Sequence, residues 1–249
     1  MYLEISRQIR KTLLQITYLK KSGHVGSNLS IVDILVVLYR DFVKKKNNNQ
    51  FILSKGHACL SVYCVLSYFK YFSRSLLNTF GDNNSKLMCH ISHRVPGVSI
   101  STGSLGHGLP IAAGKAFVNK NLKVFVLLSD GELNEGSNWE ALMFISHHNL
   151  KNIKIIIDSN KIQSIDYTKN VIKMDPLDKK FKSFGFFVSS IDGHNHKQIF
   201  NALKRKCPKP QIIIANTIKG RGVSFMENSV LWHYRPPNNE QLKQALKEI

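Results

Sequence analysis

Two short turns in this 249-residue chain each begin where an apolar run ends: SDGELNEG over 129–136 and DSNKIQS over 158–164. Asp130 offers a carboxylate and Asn160 a carboxamide oxygen, with backbone carbonyls beside them. Such hard oxygen donors suit Mg2+ or Ca2+, and Mg2+ usually completes its octahedron with substrate phosphates and water. Gly131 lets a phosphate approach the N–H groups of the first turn. Asp-Gly and Ser-Asn taken singly are ordinary polar turns. The 30-residue separation, joined to two strand ends, is what favours a paired site.

The elements that must position these turns follow from the apolar pattern. VFVLL (124–128) and IKIIID (153–158) are continuous apolar runs, β-branched and too short for helices; FILS (51–54), FFVSSI (186–191) and QIIIANT (211–217) repeat the pattern. Such runs read as buried strands. Between them lie helical stretches: 3–20, with Ile9, Leu13, Ile16 and Leu19 on one face; a second after a Ser30–Asp33 capping box, with Ile31, Ile34, Leu35 and Leu38; one opened by Lys55-Gly56-His57; the small-residue segment 105–117; one marked by Trp139, Leu142 and Met143; and one near 195–206. Strands alternating with helices predict an α/β fold, a parallel sheet with helices on both faces. In right-handed βαβ units both turns reach the carboxyl edge of the sheet, where such folds bind ligands. No linker splits residues 1–249, so one domain is expected.

Composition excludes several classes. With 43% hydrophobic and 20% charged residues the chain is too apolar for a disordered one. Four cysteines, at 59, 64, 89 and 207, form neither a zinc signature nor a disulfide framework, which favours reduced thiols and a cytoplasmic location. The longest apolar runs are about a quarter of a membrane span, and the first residues lack a leader's apolar region. The net charge of +19 raises the question of nucleic acid. The 27 lysines, 21 asparagines and 24 isoleucines point to an AT-rich compositional bias, and the lysines are scattered along the chain, so no specific nucleic acid is expected.

Seven motifs in order carry a family resemblance over residues 6 to 248. Asp130-Gly131 followed by Asn160 resembles the thiamine diphosphate signature, and Glu132-Leu133-Asn134-Glu135-Gly136 with Trp139-Glu140-Ala141 is similar to its transketolase version. Ser22-Gly23-His24 with Ser27, Ser54-Lys55-Gly56-His57-Ala58, and Pro96-Gly97-Val98 leading to Ser101-Thr102-Gly103-Ser104-Leu105-Gly106 resemble successive transketolase loops. Asp192-Gly193-His194 and the stretch from Thr217 through Lys219 to Ser224, with Trp232-His233, complete the set. The chain thus resembles the N-terminal, pyrophosphate-binding part of transketolases.

The resemblance implies thiamine diphosphate and Mg2+, for which Ca2+ or Mn2+ substitutes. Asp130, Asn160 and the Ile162 carbonyl would hold the metal. Gly131, Ser27, His57, Lys219 and His233 would touch the cofactor or its phosphates, Gly103 and Leu105 would line its rings, and Glu135 would sit near the cofactor and the subunit contact. His24, His57, His90 and His233 resemble the imidazoles around the sugar, with His24 and His233 placed to take the donor's C3 hydroxyl proton; an imidazole near neutrality suits that proton transfer. His93 is the alternative third histidine, because Cys89-His90-Ile91 departs from the family's Gly-His-Pro. His147, His148 and His196 read as surface or helix-end residues, and His107 sits undecided in a Gly-x-Gly turn.

Transketolases are more than twice this long, and the glutamate that activates the aminopyrimidine belongs to the part beyond the resemblance. The implied protein is therefore the N-terminal subunit of a split transketolase, working with a C-terminal subunit that carries the pyrimidine-binding domain, in a heterotetramer or another dimer of heterodimers, on sugar phosphates of the pentose phosphate pathway. The alternatives are the diphosphate-binding subunit of a deoxyxylulose phosphate synthase or 2-oxo acid dehydrogenase, and a basic binding protein without catalysis.

Overall fold

Each apolar strand serves two faces at once. In β2 (Val124–Ser129), Val124, Val126 and Leu128 enter one core while Phe125 and Leu127 enter another, the period-2 alternation of an extended chain. β1 (Gln50–Leu53), β3 (Ile153–Ser159), β4 (Phe187–Asp192) and β5 (Gln211–Asn216) join it in a sheet ordered β1-β2-β3-β5-β4, every pairing parallel. The computed structural model describes residues 1–249.

The larger core lies under α1 (Tyr2–Leu19), α2 (Val25–Ser30), α3 (Val32–Val37) and α4 (Cys59–Tyr68). The smaller is covered by α5 (Gly108–Val118) and α6 (Gly136–His147). Beyond β3 come the one-turn α7 (Thr168–Val171) and then α8 (Leu177–Ser183), which closes the smaller core with Leu177 and Phe181. α9 (His196–Lys204) and α10 (Asn239–Glu248) return to the larger one. No helix is long and apolar enough to cross a membrane.

Three local expectations are corrected. The Ser30–Asp33 capping box does not form: Ser30 ends α2 and its hydroxyl bonds Asp158, while α3 has no side-chain cap. Tertiary partners take Asp33 instead. Arg10 (2.7 Å) and the His194 Nδ1–H (2.9 Å) both donate to its carboxylate, and His196 lies 3.2 Å away. His196 is thus a helix-end residue with a buried partner. The 105–117 segment becomes helical only at Gly108, after a turn through Gly106 at φ +85°. Finally, β4 is a half-exposed edge strand and not a buried one.

Candidate active site

β2 and β3 are neighbours in parallel register, so the residues just past their carboxyl ends are neighbours too. Asp130 ends 3% exposed, its Oδ1 accepting from Gly131 N–H (2.8 Å) and its Oδ2 from Lys161 N–H (2.6 Å). The second bond depends on Lys161, whose φ of 65° turns the backbone back toward β2. Asn160 is fixed at both ends: its Oδ1 accepts from Ile162 N–H (3.1 Å) and its Nδ2 donates to Asp158 (3.0 Å).

Asp158 joins the whole carboxyl edge. Fully buried, it accepts from Lys55 Nζ at the end of β1 (2.6 Å), from Ser30 of α2 (2.8 Å) and from Thr217 at the end of β5. Burial pushes its carboxyl up, but the Lys55 ammonium and the two hydroxyls outweigh burial and hold it below the usual carboxylate range. Removing one partner of a buried ion pair strands the other charge, at a cost of about 3–5 kcal/mol. We therefore expect Lys55→Met to lower the urea midpoint by a stability loss of that size. Adding Asp158→Asn should recover most of it. A loss under about 1 kcal/mol for Lys55→Met would mean that water already screens the pair.

Glu132 does a similar job one turn on, its carboxylate accepting from Ser54 Oγ, from Gly106 N–H (2.9 Å) and from Ser129 N–H (3.3 Å). It fixes the loop bearing Gly103 and Leu105 against β1 and β2. Burial raises its carboxyl despite these donors.

Four imidazoles meet above this edge. His24 lies 5.2 Å from His57, 6.1 Å from His90 and 5.0 Å from His233 between ring centroids. His24 has φ 63°, a left-handed conformation that is uncommon outside glycine, and its N–H donates to the His233 carbonyl (2.7 Å). His90, not His93, joins the group; the His93 ring is exposed and bonds Ser101. His107 is exposed at the start of α5. Burial first, then neighbouring cationic groups, depress His24 to about 4 and His233 to about 3; His57 is depressed by burial and by Lys55.

Lys219 backs the cleft. Its Nζ donates to the carbonyls of Ile162 (3.2 Å) and Gln163 (3.0 Å) and reaches His233 Nδ1 (2.9 Å). A protonated lysine only donates, so His233 Nδ1 accepts and the ring proton sits on Nε2. Burial and Lys55 lower Lys219 to about 8, which leaves it protonated at neutral pH. Gly220 permits this placement: its φ is +83°, and a Cβ there would lie 2.2 Å from the Met226 carbonyl oxygen. The His194 ring, held by Asp33, accepts from Ile218 N–H (2.8 Å) and steadies the same loop.

The result is a cleft of about 220 Å³ bordered by His24, Ser27, His57, His90 and His233 on one side and by Gly103, Leu105, Asp130, Gly131, Asn160 and Ile162 on the other. Lys219 lies just behind it. Glu135 does not reach it, and stands exposed at the start of α6. Lys55, Ser129, Gln163 and Ser164 also border the cleft and carried no assignment from the sequence. They occupy the same strand-end turns as the residues that did. Gly131 borders the cleft, with its N–H donated to the Asp130 carboxylate (2.8 Å).

Two features fit a metal-bound diphosphate. Asp130 is buried beside the Asp158 carboxylate and bonded by two backbone N–H groups but by no side-chain cation, and burial first and the Asp158 charge second push it up to about 6. The Gln163 Nε2 donor is buried without a partner. One carboxylate, one carboxamide and one carbonyl supply hard oxygens with lone pairs still free.

A parallel sheet that presents this set at its carboxyl edge defines a diphosphate-binding α/β domain. The chain belongs to the transketolase family: residues 4–249 match the family described as transketolase, thiamine diphosphate binding domain. It is 40% identical over 242 residues to a subunit of the apulose-4-phosphate transketolase of Actinobacillus succinogenes, covering 91% of this chain and 87% of that one. It is 32% identical over 258 residues to the transketolase of Homo sapiens, covering 99% of this chain and 41% of that one. The crystal structure of the Campylobacter jejuni transketolase superposes with a TM-score of 0.93 at 30% identity, over 99% of this chain and 42% of that one. The chain thus spans about two fifths of these two transketolases and most of the Actinobacillus subunit.

Proposed function

We propose that this chain is the diphosphate-binding subunit of a two-polypeptide transketolase, moving a two-carbon ketol unit from a ketose phosphate to an aldose phosphate. The observation that carries this reading is the meeting, in one cleft, of the Asp130–Asn160–Ile162 oxygen set with four imidazoles. The first suits a metal diphosphate; the second suits a polyhydroxylated substrate whose protons must move. Thiamine diphosphate, when bound, supplies an electron sink for the two-carbon unit.

The chain's own residues do the rest. Asp130, Asn160 and the Ile162 carbonyl hold Mg2+, or Ca2+ or Mn2+ in its place. Ser27, Gly131, His57, Gln163 and Lys219 face the diphosphate, and Gly103 and Leu105 border its rings. Breaking a ketose C2–C3 bond requires removal of the C3 hydroxyl proton. His24, depressed to about 4 by burial first, is a weaker base than the near-neutral imidazole expected from the sequence, but it is neutral at pH 7 and free to accept the proton. His233 has its acceptor nitrogen taken by Lys219, so it presents Nε2–H as a donor to a substrate oxygen. His57 and His90 complete the hydrogen-bonding wall.

His24→Ala should lower turnover by roughly 10² to 10⁴, the usual contribution of a general base, with thiamine diphosphate affinity nearly unchanged. Turnover within a few-fold of the parent would make His24 structural. In the parent, protonation of His24 sets in only as pH falls through about 4, so any acid limb of kcat/KM that His24 governs, read as the part lost in His24→Ala, should lie there and not near 6.5.

That a similar protein is itself named as a subunit supports a second chain, and the assembly we propose is a heterotetramer or another dimer of heterodimers. Glu135, outside the cleft, is assigned to the subunit contact. The sugars are taken as those of the pentose phosphate pathway. That similar proteins carry the names apulose-4-phosphate transketolase and 6-deoxy-6-sulfo-D-fructose transketolase makes those two compounds the competing donors to assay. Four free thiols support a cytoplasmic location, and residues 1–249 act as one domain.

A further inference from the structure

Seven of the 27 lysines scattered along the sequence meet in space. At the amino edge of the sheet, opposite the four histidines, the starts of β2, β3 and β5 floor a second cleft of about 600 Å³. Lys120 and Lys123 lead into β2, Lys151 and Lys154 into β3, and four more cations stand between Lys204 and Lys209. Eight of its 17 bordering residues are Lys or Arg and none is Asp or Glu, whereas the chain as a whole has 35 basic residues in 249. That enrichment exceeds what compositional bias alone would place there.

None of these eight takes part in any of the chain's ion pairs. Lys154 is tied inward, its Nζ donating to the Arg205 carbonyl (2.7 Å) and to Gln211 Oε1, which pins the 205–209 loop over the cleft. Burial, then Lys123 and Arg205, lower its affinity for a proton. Asn152 fixes the opposite wall through the carbonyls of Ala116 (2.8 Å), Asn119 (3.1 Å) and Leu122 (3.0 Å). Like charges are therefore held around a concave, built surface with no counter-charge, and such concavity focuses a positive potential.

We propose that this cleft binds a small polyphosphate, inorganic or as a nucleoside triphosphate, at a site separate from the diphosphate site of the other edge. Its volume is that of a small-molecule pocket. Closely spaced anionic oxygens are the chemistry that relieves several unpaired ammonium groups together, and ammonium–phosphate bonds are charge-assisted. Half-buried Phe42 on its wall offers an apolar face to a base, should the ligand carry one.

Calorimetric titration of the purified chain at about 150 mM salt tests this, with sodium tripolyphosphate, metal-free ATP and a single-stranded RNA oligonucleotide as separate probes. Lys123→Glu combined with Lys206→Glu changes two exposed rim residues, and Lys11→Glu with Lys179→Glu changes the net charge equally at exposed positions elsewhere. Lys219→Met removes a cation of the opposite edge. We expect saturable one-to-one binding of tripolyphosphate, weakened at least roughly tenfold by the cleft pair and within twofold of the parent in the other two variants. Comparable binding of ATP would show that the phosphate chain alone is read, and tighter binding of ATP would add contact with the base; both support the site. Equal losses in the two charge-reversal pairs, loss in Lys219→Met alone, or no saturation would overturn it. RNA binding tighter than tripolyphosphate through the same residues would also overturn it, in favour of a nucleic-acid surface.

Discussion

Asp130→Ala is expected to abolish measurable thiamine diphosphate binding in magnesium while leaving the fold intact. The two expectations have separate physical grounds. Asp130 is the only carboxylate among the three oxygens assigned to the metal, and a diphosphate brings more negative charge to the same place. Losing even an outer-shell partner of a metal typically costs roughly 10- to 100-fold in affinity, so losing a direct anionic ligand should cost more. The fold should survive because Asp130 holds no ion pair; its bonds are to two backbone N–H groups in its own and the neighbouring turn, and Asp158 beside it is a repulsive neighbour. Calorimetry of cofactor binding, with circular dichroism as the control, separates the two. Unchanged affinity would reduce Asp130 to a turn former and leave the cleft without a metal site.

The strand ends were legible because period and punctuation agree there. VFVLL and IKIIID stop at Asp-Gly and Ser-Asn turns, and the parallel register carries Asp130 and Asn160 to adjacent positions. The hub beneath them was not. Lys55 and Asp158 are buried strand-end charges whose partners lie 103 residues apart, and nothing local distinguishes them from solvated turn residues. The Ser30–Asp33 pattern misled for the complementary reason: a local capping signal lost to distant partners, Asp158 for the serine and Arg10 with His194 for the aspartate. The basic cleft is a third case. Its lysines precede three different strands, so only the shared direction of those strands, which gathers every amino end on one edge, brings them together.

On the proposed reading this chain holds half of a catalytic site. Thiamine diphosphate needs one surface for its metal diphosphate and another whose acid engages the pyrimidine ring. The acids of the diphosphate turn are unsuited to that second role. Glu132 is buried and bonded to Ser54, Gly106 and Ser129, while Glu135, just before α6, and Glu140, on it, are exposed and do not border the cleft. The chain alone should therefore bind the metal diphosphate weakly and transfer nothing, and a partner carrying the pyrimidine-binding domain should raise the rate from background by orders of magnitude.

Purifying this chain alone and with the candidate partner, and following two-carbon transfer from a ketose phosphate to an aldose phosphate with thiamine diphosphate and magnesium present, decides between half a site and a whole one. A rate that depends on the partner, saturates as the partner is titrated and disappears in Asp130→Ala is the predicted result. Robust turnover by the single chain would contradict it, and so would a pair that transfers nothing from pentose-pathway ketose phosphates, apulose 4-phosphate or 6-deoxy-6-sulfo-D-fructose.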